Sequence, residues 1–242
     1  MKNLIKGDIS IDCRWQETNM RFIGVFDIVG FKNWFDREGH NNVLEKLRCF
    51  QMIKELNYGI NSLEIIKEST RLQAPKIIIF SDTIILISSS DSLEDSKLMI
   101  LSTMELFLNC YALSIPIKGA LSYGLVTYDN NIPIILGKPF IDAYLMQERL
   151  QVFSAVLDKK IENKFFEYEQ LNGYLEFVNY HVPFKDKTEE YYLLNWCGKN
   201  QTDAFDSIIL KKFEYECRLK GVIINNTKQF VNFCCEISDT IN

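Results

Sequence analysis

Two aspartates stand where an apolar stretch would end as a strand. Asp27 closes Phe22-Ile23-Gly24-Val25-Phe26 and is followed by Ile28-Val29-Gly30-Phe31, while Asp82 sits with Ser81 between Ile77-Ile78-Ile79-Phe80 and Thr83-Ile84-Ile85-Leu86-Ile87. A carboxylate taken out of water without a partner is costly, so two of them at adjacent strand ends need hydrogen bonds, a shared proton or cations. Two carboxylates and a strand-end carbonyl such as that of Ile28 form an all-oxygen set, which suits a divalent cation such as Mn2+ or Mg2+. In the plainer alternative, Asp27 caps a turn and Asp82 is a solvated turn residue. Gly30 fits a phosphate cradle, because backbone N–H groups of the turn through Phe31 can face anionic oxygens and lead into a helix; turn geometry alone also accounts for it.

The elements that must hold these residues follow from periodicity. The first run reads as a buried strand, and Ile77 to Ile87 as a tight hairpin with the acid at its tip. Apolar spacing predicts amphipathic helices over about 42–68 and 90–113, the second with capping candidates Ser90, Asp91 and Ser92. Strands over 115–128 and 132–136 and a helix over 139–150 complete a β-α-β-β-α-β-β-α order. That order predicts a ferredoxin-like α+β sandwich with both helices on one face. Further on, 191–196 reads as a strand and 204–220 as a helix, with the last twenty residues open to either. The divisions expected are an N-terminal segment 1–19, a catalytic domain 20–196 and a C-terminal helical extension 197–242.

Composition narrows the class. A chain of 242 residues, 47% apolar and 24% charged, has material for a sizeable core. With 27 Lys and Arg against 32 Asp and Glu the formal charge is -5, which argues against a nucleic-acid backbone as partner. Apolar runs fall far short of the ~20 residues of a membrane helix, and the N-terminus does not read as a secretory signal, so a cytoplasmic protein is expected. The 7 cysteines come with only 2 histidines and no CxxC pair, and read as idle thiols. Aromatic residues are 13% of the chain, so Phe31, Trp34 and Tyr123 read first as core and only second as base-stacking groups.

The wording of these segments resembles class III nucleotidyl cyclases. Phe26-Asp27-Ile28-Val29-Gly30-Phe31 with Phe80-Ser81-Asp82 is similar to the family's metal-binding pair. Lys118-Gly119-Ala120-Leu121-Ser122-Tyr123-Gly124 resembles its fourth strand, and Ile135-Leu136-Gly137-Lys138-Pro139-Phe140-Ile141-Asp142-Ala143 its entry into the third helix. The resemblance spans about residues 20–196 and implies a homodimer with composite sites, in which a nucleoside triphosphate is cyclised with two divalent cations. Positions that read a purine in the family fall on Ile78 and Ile134, both apolar, which disfavours a purine. The set, with Tyr180-His181-Val182-Pro183-Phe184-Lys185-Asp186 and Tyr191-Tyr192-Leu193-Leu194-Asn195-Trp196, is similar to the pyrimidine cyclases of the bacterial Pycsar anti-phage system. UTP is then the expected substrate and CTP the next, the alternatives being a purine (adenylate or guanylate) cyclase and a catalytically inactive nucleotide-binding or dimerisation module of the same fold.

Two further departures concern charge. The family's transition-state Asn and Arg fall on Ile141 and Leu145, which leaves Lys138, Asp142 and Arg149 as nearby substitutes. Lys185 and Lys187 resemble the triphosphate-binding lysine, although a solvated charged loop is an equal reading for them.

Overall fold

The structure is a computed structural model that describes residues 15–50, 74–129, 132, 134–166, 177–197, 210–211 and 221–240. Its central strand is β1 (Thr18–Ile28), followed by α1 (Phe31–Cys49), the hairpin β2 (Lys76–Phe80) and β3 (Thr83–Ile87), and α2 (Leu93–Ala112). Next come β4 (Ile117–Asp129), β5 (Ile134–Leu136) and α3 (Lys138–Arg149), then β6 (Ala155–Leu157) and α4 (Lys159–Phe166). The hairpin β7 (Phe177–Pro183) and β8 (Thr188–Leu194) and the helix α5 (Gly221–Thr240) finish the chain.

The α+β architecture and the first eight elements match the sequence expectation. One sheet runs β2-β3-β1-β4-β6-β8-β7, with β5 paired to β4; β4 and β6 are parallel and the other neighbours antiparallel. β1 lies in the middle because Phe22, Ile23, Val25, Phe26 and Ile28 are buried, so both of its faces must be covered. α2 covers the Phe26 face, where the Phe26 and Phe107 rings meet at 6.0 Å. Gly119 on β4 leaves room for that same Phe26 ring, which a Cβ there would strike. α3 lies on the opposite face, tied to it by Lys118.

Several boundaries differ from expectation. α1 starts at Phe31 rather than near Asn42, because Gly30 takes the left-handed conformation (φ 78°) and turns the strand straight into a helix. The apolar period is broken at Gly39 (φ 76°), which hides the first turns from a periodicity search. The remainder of the 42–68 helix lies outside the described residues. The late strand is β8 and starts at Thr188; β6, α4 and β7 were not expected at all. Most of 204–220 and residues 1–14 lie outside the described residues. Of the last twenty, the described ones are helical, and α5 is part of the core. Phe230 is buried, Thr227 accepts a hydrogen bond from the Phe153 amide at 3.0 Å, and Asn226 donates to the Gln151 carbonyl at 2.9 Å.

Cys49 and Cys110 are free thiols, Cys110 buried and Cys49 half-buried. No helix among the described residues is long and apolar enough to cross a membrane.

Candidate active site

The two aspartates meet at one end of the sheet. Asp27 faces Thr83 across β1–β3, so Asp82 lies just beyond it, and the Ile28 amide donates to the Asp82 carbonyl at 2.8 Å. The next amide, Val29, donates to the Pro116 carbonyl at 2.9 Å, after which Gly30 opens α1. The hairpin tip is as tightly set, with Ser81 in the left-handed region at φ 56°. Both carboxylates are therefore carried by short connections pinned to neighbouring strands.

Asp27 is half-buried, and its carboxyl is held above the ordinary carboxylate pKa. Burial is the main cause; the Lys118 ammonium opposes it, the Asp82 charge adds to it, and Lys185 opposes it more weakly. The balance is a carboxylate short of positive charge beside a second carboxylate, which is what a bound divalent cation would correct. Among the described residues, no group of three or more His, Cys, Asp or Glu side chains is placed to hold a metal ion. Asp27 and Asp82 would hold cations together with the Ile28 carbonyl and oxygens brought by a ligand.

Lys118 was absent from the site expected from sequence. It is the β4 partner of Asp27 in register and is only 6% exposed. Its Nζ donates to the carbonyls of Glu148 at 3.2 Å and Leu150 at 3.1 Å. Burial pulls its pKa down to about 8, against the attraction of Asp27; Lys185 lowers it further and Glu148 raises it. The signal in the sequence was a lysine inside the apolar strand Ile117 to Val126, but its place depends on the β1–β4 register.

The other candidates divide between the two ends of α3. At its C-terminal end, Arg149 forms a two-pronged pair with Asp186, at 2.8 and 2.9 Å from Nη2, and its carbonyl accepts from the Lys185 amide at 2.9 Å. Lys185 is thereby brought within electrostatic reach of Asp27 and Lys118, with Glu148 3.8 Å from its ammonium. Lys187 pairs with Glu189 at 2.9 Å. At the N-terminal end, Lys138 pairs with Asp142, which Lys160 also holds at 2.9 Å. Burial raises the Asp142 carboxyl, but these two ammoniums outweigh it and keep it below the usual range. Lys138 and Arg149 stand eleven positions apart, ~16 Å of helix, so these groups do not share one site within a chain.

Ile141 and Leu145, 47% and 49% exposed, lie on α3 between the two clusters. Ile78 packs on a small apolar cluster of Ile23, Ile85, Ile87 and Val126. Ile134 pairs with Asp129 at the far end of β4 from Lys118, ~36 Å along the strand. One chain thus brings together Asp27, Asp82, Gly30, Lys118 and Lys185, and leaves Ile134, Lys138 and Asp142 apart.

No family model and no curated protein matches the sequence. Solved structures do match the fold. The catalytic core of a rhodopsin-guanylyl cyclase with converted specificity, in complex with ATPαS, superposes with a TM-score of 0.52 at 12% identity, over 74% of this chain and 98% of that one. A bacterial light-regulated adenylyl cyclase superposes with a TM-score of 0.50 at 12% identity, over 81% of this chain. This is the class III nucleotidyl cyclase fold. The chain spans 58% of the length of the light-regulated cyclase it matches.

Proposed function

We propose that the chain is a divalent-cation-dependent nucleotidyl cyclase that converts a pyrimidine ribonucleoside triphosphate, UTP ahead of CTP, into its 3′,5′-cyclic monophosphate and pyrophosphate. The observation that carries this reading is the meeting of Asp27 and Asp82 at one sheet end on a cyclase fold. In the reaction the substrate's 3′-oxygen bonds to its own α-phosphorus, the bond to the β-phosphate oxygen breaks, and the hydroxyl proton leaves to solvent. The nucleophile is tethered, so positioning and charge neutralisation supply most of the rate. Bound divalent cations would lower the hydroxyl pKa and neutralise phosphate charge.

The protein's own groups do the rest. Asp27, Asp82 and the Ile28 carbonyl would hold cations, the amides from Gly30 onward would face phosphate oxygens, since those of Ile28 and Val29 are bonded to the Asp82 and Pro116 carbonyls, and Lys118 and Lys185 would balance the tail. Arg149 positions Lys185 through the Asp186 pair and its own carbonyl. Arg149→Ala is expected to lower kcat/KM about tenfold, the worth of one charge-assisted contact, with unchanged melting temperature. Wild-type kcat/KM in this variant would remove Arg149, and the loop it holds, from the mechanism.

The apolar side chains at Ile78 and Ile134 support a base read without the purine-type hydrogen bonds. Two features support a homodimer with composite sites: Ile134, Lys138 and Asp142 lie far from the carboxylates of their own chain, and Leu125, Leu136, Tyr144 and Leu145 leave an apolar surface exposed. The product would act as a cytoplasmic alarm nucleotide in anti-phage defence of the Pycsar kind. A second reading, a catalytically inactive module of the same fold, is favoured by Ile141 and Leu145, which offer no charge to a transition state.

Incubating the purified protein with each of the four ribonucleoside triphosphates and Mn2+, followed by mass spectrometry, tests all of this. Cyclic UMP is the expected main product and cyclic CMP the minor one. Cyclic AMP or GMP as the main product would overturn the pyrimidine assignment, and four intact triphosphates with a folded dimer would select the inactive module.

A further inference from the structure

Phe31 and Ser81 flank the carboxylate pair in sequence and also form the walls of a single cavity of about 270 Å3 beneath α1. Phe31 follows Gly30, the turn leading from Asp27, and Ser81 precedes Asp82. The two connections that carry the carboxylates therefore also share the wall of a space open to a small molecule.

The lining is apolar with a cationic edge. Phe35, Val43, Leu47 and Ile79 supply the body, and the Phe31 and Phe35 rings lie 6.1 Å apart at 37°. Arg48 stands at the rim, exposed, and makes no ion pair with any described residue; His40 is the other polar group on the helix. No carboxylate is among the described residues of the lining. The volume is slightly below the range of about 300–1,000 Å3 that holds drug-sized ligands, so a nucleotide is too large and a single-ring metabolite fits.

We propose that this cavity binds a small organic acid with a planar apolar body, its carboxylate on Arg48, and that occupancy alters the affinity of the Asp27–Asp82 pair for a divalent cation. The binding half stands by itself; the coupling half rests on reading the carboxylate pair as a cation site. The ligand would contact Phe31 and Ser81 directly and so favour one setting of the two connections. Whatever it does to cation affinity, the cation must do in equal measure to the ligand's affinity.

The probe is phenylacetate, added to full-length protein carrying labelled Ile, Leu and Val methyl groups. Saturable shifts of the Ile79, Val43 and Leu47 methyl signals are expected. Affinity should fall about tenfold or more in Arg48→Ala, and for benzyl alcohol, which has the ring without the charge. Absence of saturable shifts, or equal affinity in Arg48→Ala, overturns the ligand site. Mn2+ titration by calorimetry with and without saturating phenylacetate should show about a fivefold change in affinity, near the lower end for coupled sites. Phenylacetate binding with unchanged Mn2+ affinity overturns the coupling. If ligand-free protein with a folded spectrum takes up no Mn2+, the cation-site reading fails and the coupling with it, and the methyl shifts still decide the cavity.

Discussion

Asp27→Asn is expected to abolish cyclisation and at the same time to raise the melting temperature at neutral pH. The activity loss follows from removing one of two carboxylates that hold the cations, a contribution of several kcal/mol and hence about a thousandfold or more in rate. The stability gain follows from the raised carboxyl pKa, which persists with the Lys118 and Lys185 attractions included. An acid whose folded pKa lies above its unfolded value of about 3.9 binds more protons folded than unfolded between those two points. Stability therefore falls as pH rises through that window, and the full penalty is present above it. Asparagine, with no charge to bury, escapes the penalty.

The wild-type and Asp27→Asn melting temperatures should accordingly converge at a pH below about 4 and separate at pH 7, with about 2–4 °C for each kcal/mol in a chain of this size. Adding Mn2+ should raise the wild-type value and leave that of the variant unchanged. Asp82→Ala should lose turnover to the same extent. Turnover retained in either variant would falsify the paired-carboxylate site, and a less stable Asp27→Asn protein at neutral pH would show that Asp27 has a structural partner.

The carboxylates were legible in the sequence for a physical reason that the rest of the site did not share. An acid in an apolar run is a costly exception where that run is buried, and Asp27 and Asp82 each interrupt an apolar run within a few residues of a turn, although only β1 and β3 are buried and Phe80 of β2 is exposed. Gly30 was legible as a turn leading into a helix, although the start of that helix at Phe31 was not, because Gly39 breaks the apolar period of α1 eight residues after it. Lys118 could not be placed, since its role depends on which β1 residue it faces, and register is a property of pairing rather than of either strand. β6 was hidden by its length of 3 residues, too short for any alternation to show. Sequence proximity points to Arg149 and resemblance to Lys185, and neither shows that they meet. What joins them is the short approach of the β7–β8 turn to the end of α3, a contact between segments over thirty residues apart.

Lys118 makes the second prediction, because its titration moves stability and activity in opposite directions. Its folded pKa of about 8, lowered first by burial and opposed by Asp27, lies below that of an unfolded lysine. Between about 8 and 10.4 the unfolded chain holds the proton that the native state has released, so stability rises with pH across that window. Activity runs the other way if the ammonium balances the triphosphate, and kcat/KM, which reports the free enzyme, should decline as pH passes about 8. The groups around it that carry charge are Asp27, Lys185 and Glu148. Lys118→Arg keeps a cation that does not titrate, so it should lose both the alkaline decline in kcat/KM, measured with Mg2+, and the alkaline rise in stability. Lys118→Met should lose the rise in stability too, and fall by about 10- to 100-fold in kcat/KM at neutral pH, the worth of charge-assisted contacts at a buried site. An alkaline limb that survives unchanged in Lys118→Arg would assign it to another group, and a Lys118→Met enzyme of wild-type kcat/KM would make the lysine a brace for the end of α3 through the Glu148 and Leu150 carbonyls.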